Sequence, residues 1–205
     1  MDKKPLILDG SSDLTEAIKI FRGGGIIAFP TETFYGLCVD PFNETAVKKL
    51  FILKGRPFES PVSIIIKDIG MLKTVASEVT PLAGTLMKRF WPGPLTIVFK
   101  AGPKVPPLLT ADTGKIAARV SSDPVCRRLV DILASPITAT SANPSGKRPP
   151  ATAKEVIDYF NGAIDLLIDG GKLPGKKGST IVDASGERIE VIREGEIPVE
   201  EITGG

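Results

Sequence analysis

The sequence predicts an α/β fold: a single domain built on one twisted, open, mixed β-sheet flanked by helices. Three observations carry this expectation. The 205 residues alternate helix-like and strand-like segments along almost their whole length. A chain of this size with 42% hydrophobic residues buries about 70% of its unfolded surface and fills a core without staples. The last strand-like runs also stand too close together for crossover helices, so they are expected to pair antiparallel and make the sheet mixed.

Each element has a local reason. Asp13 with Glu16 opens a helix whose Leu14, Ala17, Ile18 and Phe21 fall on one face, and Gly23-Gly24-Gly25 ends it. Ile26 to Phe29 is an apolar run of strand length. Asn43 caps a second helix carrying Val47, Leu50 and Phe51. Ser63 to Ile66 is the next strand. Thr80-Pro81 starts a helix with Leu82, Leu86 and Phe90 on one side, and Trp91-Pro92-Gly93-Pro94 stops it before the strand Leu95 to Phe99. After a proline-rich loop come the strand Ile116 to Val120, a helix Pro124 to Leu133 and the strand Ile137 to Thr140. Ser141 to Pro150 reads as loop. Thr152 and Glu155 form a capping box for a helix bearing Val156 and Phe160, followed by strands at Leu166 to Ile168, Thr180 to Val182 and Ile189 to Ile192.

Composition narrows the chemistry. There is no histidine, which excludes Ser-His-Asp and Cys-His nucleophile pairs and every imidazole metal site. The two cysteines, Cys38 and Cys126, are too far apart for a CxxC site and read as small buried hydrophobes. The first ten residues lack the apolar centre of a signal peptide, and no run approaches the roughly 18 apolar residues that span a bilayer. A cytoplasmic protein with no membrane partner and reduced thiols is expected. The net charge of +2 means that any anion binding must be local. The chemistry left open belongs to Lys, Arg, carboxylates, hydroxyls, backbone amides or an oxygen-held cation.

Two glycine patterns do not carry a nucleotide site. Gly170 to Lys177 approaches a P-loop, but Lys177 stands where Ser or Thr would hold magnesium, and a strand follows instead of a helix. Gly23 to Gly25 precedes a strand instead of following one. The informative clusters are Pro30 to Leu37 after the first buried strand, Lys54-Gly55-Arg56-Pro57 after the second helix and Ser141 to Gly146 after the strand ending at Thr140. Such loops converge at the carboxyl ends of strands in open α/β sheets. Arg119 is a lone cation in an apolar strand, so it must meet an anion, either a structural carboxylate or a ligand. Lys54-Gly55-Arg56 reads as two cations on a tight turn that approaches a ligand, or as a solvated helix end.

Pro30-Thr31-Glu32-Thr33-x-Tyr35-Gly36-Leu37, Lys54-Gly55-Arg56-Pro57, Trp91-Pro92-Gly93-Pro94-Leu95-Thr96, Arg119 before Asp123-Pro124, Ser141-Ala142-Asn143-x-Ser145-Gly146, Gly178 to Asp183 and Arg193-x-Gly195 occur in this order. Together they resemble the YrdC family, the L-threonylcarbamoyladenylate synthases, over about residues 12–198. On that resemblance, residues 1–205 form a single YrdC-like domain with a short C-terminal tail. It implies that L-threonine, bicarbonate and ATP give threonylcarbamoyl-AMP and pyrophosphate, with a downstream threonylcarbamoyl transferase modifying the tRNA adenosine beside the anticodon. It places Thr31, Tyr35, Arg119 and Ser179 at threonine, and Lys54, Arg56, Phe58, Ser141, Asn143, Pro149 and Arg193 around ATP. Lys54 and Arg56 are the implied catalytic cations, and Ser141 and Asn143 the implied ligands of Mg²⁺. Glu32 is a base or a structural carboxylate. Ile65 stands where some relatives have a histidine, so a histidine-assisted step does not transfer, and the second domain of longer relatives is not expected here. The rival reading is an RNA-binding module, for double-stranded RNA or tRNA, that uses Lys147, Arg148, Lys172, Lys176 and Lys177 without turnover. The near-balanced charge and few aromatics argue against it.

Overall fold

Apolar residues that alternate along a strand and are buried on both sides require helices on both sides, and this is how the chain is built. The computed structural model describes residues 4–160 and 162–203. Residues 1–3, part of the N-terminal stretch read above, and residues 204–205 lie outside the described residues. The strands are β1 (Leu6–Asp9), β2 (Ile27–Phe29), β3 (Gly36–Cys38), β4 (Ser63–Ile65), β5 (Leu95–Lys100), β6 (Lys115–Arg119), β7 (Ile137–Ser141), β8 (Leu166–Asp169), β9 (Thr180–Asp183) and β10 (Glu190–Arg193). They form one mixed sheet in the order β1-β8-β2-β3-β7-β4-β6-β5-β9-β10.

The helices are α1 (Thr15–Arg22), α2 (Glu44–Lys54), α3 (Ile69–Leu72), α4 (Pro81–Phe90), α5 (Pro107–Thr110), α6 (Pro124–Leu133), α7 (Ala153–Phe160) and α8 (Val199–Thr203). Their starts follow side-chain chemistry. Asn43, Thr80 and Asp123 accept from the backbone N–H groups of Ala46, Ala83 and Cys126, each satisfying a donor that the helix itself leaves free. Glu155 accepts from the N–H of Thr152 at 3.0 Å, as the capping box requires. At the end of α1, Gly25 N–H donates to Ile20 and Gly24 N–H to Phe21, closing the helix where Gly24 turns to positive φ.

Two cores result. Ile27, Phe29, Ile65, Ile137, Leu166 and Ile168 face α1 and α6 with Cys38 and Cys126. Ala28, Ile64, Ile66, Ile97, Phe99, Ala118 and Leu167 face the opposite way, toward α2, α4 and α7. Both thiols are fully buried, and burial pushes the Cys126 thiol up to about 12.

One expectation needs correction. The late strands do not simply pair among themselves. β9 and β10 are antiparallel, but β8 inserts parallel between β1 and β2, at the far end of the sheet from β9. The connection from β8 to β9 crosses the molecule as the loop 170–179. β1, β3 and the one-turn helices α3, α5 and α8 had no local signal. No helix among the described residues is long and apolar enough to cross a membrane.

Candidate functional site

The face that carries α1 and α6 is covered only beneath the β1 half of the sheet. On that same face of the other half, Thr96 and Val98 of β5, Ala117 and Arg119 of β6 and Ile181 of β9 point at no helix, and they floor a cavity of about 720 Å³. Register explains this: Arg119 lies beside Ile65, and Thr96 beside Ile181, so these side chains share a face. The walls come from Thr31 to Gly36, Arg56, Ser60 to Ser63, Ala139 to Ser141, Pro149, Lys177 to Ser179 and Ile192 to Glu194. The site therefore lies on an open sheet face, not along a single carboxyl edge, because a mixed sheet sends its carboxyl ends both ways. A space of this size is in the range of small-ligand sites.

The cavity is cationic. Arg56, Arg119, Arg193 and Lys177 line it, against one carboxylate, Glu194, among the described residues. Arg119 is buried and pairs with Glu32 at 2.5 Å, while Ser121 donates to the other Glu32 oxygen. Of the two anions the sequence allowed for Arg119, the protein supplies a structural carboxylate; the guanidinium still borders the cavity. Arg193 donates from Nη2 to the Ser179 carbonyl at 2.7 Å, and Ser179 Oγ accepts from Thr96 Oγ1 at 2.9 Å. Desolvation lowers the Arg193 pKa, and the charge of Arg119 adds to this, so two cations, Arg119 buried and Arg193 exposed, face one space. Gly195 lets these segments meet: a Cβ there would stand 2.1 Å from the Gly178 carbonyl. Thr180 Oγ1 locks the contact by accepting from Gly195 N–H and Ile197 N–H.

Lys54 and Arg56 part company at Gly55, whose left-handed φ of 59° caps α2. Arg56 turns to the cavity and donates to the Pro61 carbonyl at 2.6 Å, its Nε buried without a partner. Lys54 turns behind the wall. Its ammonium donates to the carbonyls of Ser141 and, at 2.5 Å, Asn143. Burial first, and the charge of Arg56 second, lowers its pKa to about 7.

Of the predicted site residues, Thr31, Tyr35, Arg56, Arg119, Ser141, Pro149, Ser179 and Arg193 share the cavity, whereas Lys54, Phe58 and Asn143 are not part of its lining. Phe58 is 46% exposed and stacks on Phe51 at 5.3 Å. The Tyr35 hydroxyl is engaged away from the cavity: it accepts from Gly170 N–H and lies 2.8 Å from the Gly171 carbonyl. The Thr31 hydroxyl donates to the Phe34 carbonyl and accepts from Thr33 N–H, so it shapes its own loop. Ser60, Ser63, Thr96, Lys177 and Glu194 were not foreseen as site residues. Thr96 had a signal as the last residue of a quoted motif and a polar side chain in an apolar strand, and Lys177 as one of the clustered cations of the RNA-binding reading. For a metal, no cluster of three or more His, Cys, Asp or Glu side chains exists among the described residues. The available donors are neutral oxygens, including Asn143 Oδ1, which is buried without a partner. That set fits a Mg²⁺ held mainly by phosphate oxygens and water.

Known proteins resemble this chain in sequence and fold. The family model for Sua5, YciO and YrdC, described as telomere recombination, matches residues 19–195. A threonylcarbamoyl-AMP synthase of Pyrococcus abyssi is 39% identical over 91% of this chain and 55% of its own length. One of Bacillus subtilis is 36% identical over 92% of this chain and 55% of its own length. The chain thus spans about half the length of these curated relatives. The structure of P. abyssi Sua5 complexed with L-threonine superposes with a TM-score of 0.91 at 35% identity, over 97% of this chain and 60% of that one. The matched region takes in the strands that floor the cavity and the loops that wall it, and on this evidence the chain belongs to the Sua5/YciO/YrdC family.

Proposed function

We propose that this chain forms threonylcarbamoyl-AMP and pyrophosphate from L-threonine, bicarbonate and ATP, acting in the cytoplasm. The observation that carries the reading is the open sheet face: a cavity with three arginines and one carboxylate, in a chain built like a protein crystallised with L-threonine. In the reaction, the threonine amine takes up the carbon of bicarbonate with loss of water. A carbamate oxygen then attacks the α-phosphorus as the bond to the β-phosphate oxygen breaks, and pyrophosphate leaves. An anionic nucleophile and a triphosphate repel each other, so the chain's task is to cancel charge and hold the line of attack. Arg56 and Arg193 would meet the phosphates, and Arg119 with Ser179 the threonine carboxylate and hydroxyl. Ser141 and Asn143 would hold Mg²⁺ arriving with the triphosphate, which supplies further charge neutralisation. No protein nucleophile is required, which suits a chain without histidine. Glu32 is taken up by Arg119 and Ser121, which favours its structural role over that of a base. The product is an activated mixed anhydride for a downstream transferase acting on tRNA.

Pyrophosphate release from ATP is expected to require threonine and bicarbonate together, and Arg56→Ala is expected to lower it by about 100-fold or more. Release that ignores threonine refutes the reading. The RNA module instead predicts salt-dependent RNA affinity with no turnover.

A further inference from the structure

We propose that Lys177 is a further substrate-binding cation, held by Glu194 until an anion enters the cavity and takes its place. Four cations line the cavity among the described residues, and they differ in what holds them. Arg119 is fastened to Glu32, Arg56 to the Pro61 carbonyl and Arg193 to the Ser179 carbonyl. Lys177 is held at its tip by another mobile side chain: its ammonium meets Glu194 at 3.2 Å, and Glu194 is the one carboxylate of the lining among the described residues. The two side chains are 62% and 45% exposed, so water screens the pair and either partner can leave it for a better one. The backbone beneath them is fixed. Lys177 N–H donates to Glu196 Oε1 at 2.7 Å, and Glu196 N–H donates to the Gly178 carbonyl at 2.9 Å. Lys177 can therefore change partner by side-chain rotation alone.

Position in the sheet says which anion this is. Lys177 leads into β9 and Glu194 follows β10, whereas Arg56 follows α2 and Ser141 ends β7, with β4, β6 and β5 lying between β7 and β9. The cavity thus has cations on opposite walls. In the reaction proposed above, the carbamate formed on threonine attacks the α-phosphorus, and pyrophosphate leaves in line on the far side. With threonine at Arg119 and Ser179, the α-phosphate lies toward Ser179 and Arg193, and the leaving pyrophosphate toward Arg56 and the turn after β7. Lys177 stands on the α-phosphate side, where its ammonium would offset the charge that gathers as two anions are brought together. Glu194 competes with the substrate for that ammonium. That the anion is an α-phosphate rests on the proposed function; the loose hold on Lys177 does not.

Lys177→Met and Glu194→Gln break the same ion pair, which makes the test sharp. A pair that only braces the rim predicts effects of one direction in both variants. The proposal predicts opposite directions. ATP affinity, measured by calorimetry at low salt, is expected to fall by about threefold or more in Lys177→Met and to rise by about twofold or more in Glu194→Gln. The gain from Glu194→Gln is expected to shrink in the double variant, where no ammonium is left to release. Pyrophosphate, measured alone, is expected to stay within about twofold in every variant. Losses of ATP affinity in both single variants, an unchanged Lys177→Met, or an equal gain from Glu194→Gln with and without Lys177 overturns the proposal. Equal losses of ATP and pyrophosphate affinity in Lys177→Met overturn the assignment to the α-phosphate. A wild type without threonine-dependent pyrophosphate release sinks the proposed function alone, because ATP binding still decides whether Glu194 holds Lys177 back.

Discussion

Replacing Glu32 with alanine removes the structural counter-charge of Arg119 and tests how the cavity tolerates its cations. The two side chains are 9% and 12% exposed, so water screens the pair little. A buried charge stripped of its partner costs about 3–5 kcal/mol, because desolvation remains when the attraction is gone. For a chain of this size each kcal/mol moves the midpoint by about 2–4 °C, so Glu32→Ala is expected to melt about 6–20 °C below wild type. Arg119→Met leaves Glu32 with the Ser121 hydroxyl and is expected to cost less. The double variant carries no unpaired buried charge and is expected to be more stable than Glu32→Ala alone, with a coupling of about 1–3 kcal/mol. Urea unfolding of the four proteins at one pH gives the cycle. A loss below about 1 kcal/mol in Glu32→Ala, or losses that simply add, would mean that Arg119 finds its compensation elsewhere.

The parts of the fold that were legible are those written in neighbouring residues. Asn43, Thr80-Pro81, Asp123-Pro124 and the Thr152–Glu155 pair act within one turn of the helices they start, so their spacing is readable without any partner. β3 is three residues inside a polar motif, and only its antiparallel neighbours β2 and β7 make it a strand. β1 is an exposed edge whose partner, β8, lies about 160 residues away. The same division runs through the site. The motif loops do wall one cavity, because their residues are chosen for tight turns and close approaches that sequence records, as at Gly55 and Gly195. The Arg119–Glu32 pair is separated by 87 positions, which left both carboxylate and ligand open for Arg119. The divergence of Lys54 from Arg56 depends on a backbone angle at Gly55. Ser60, Ser63 and Glu194 are ordinary surface residue types, Ser63 brought to the cavity at the start of β4 and Ser60 and Glu194 by the chain just outside β4 and β10.

Two further expectations concern groups buried behind the cavity wall. Tyr35→Phe removes the acceptor of Gly170 N–H and the partner of the Gly171 carbonyl, and is expected to cost about 1–3 kcal/mol in urea unfolding; a loss below about 0.5 kcal/mol would refute this anchoring role. Lys54 makes a pH prediction of definite sign. Folded, its amine titrates near about 7, through burial and then through Arg56; unfolded, it titrates at 10.5. Between those values the unfolded chain holds more protons on this residue than the folded chain, so this residue makes unfolding harder as pH rises, by at most about 1.4 kcal/mol per pH unit. Measured between pH 7 and 9, below the range where the buried thiols titrate, wild type is expected to gain on the order of 1–2 kcal/mol relative to Lys54→Met. Donation to the Ser141 and Asn143 carbonyls works the other way, favouring the charged amine. A flat difference between the two proteins would show that these bonds outweigh burial and keep the Lys54 amine charged throughout the range in which the cavity is expected to work.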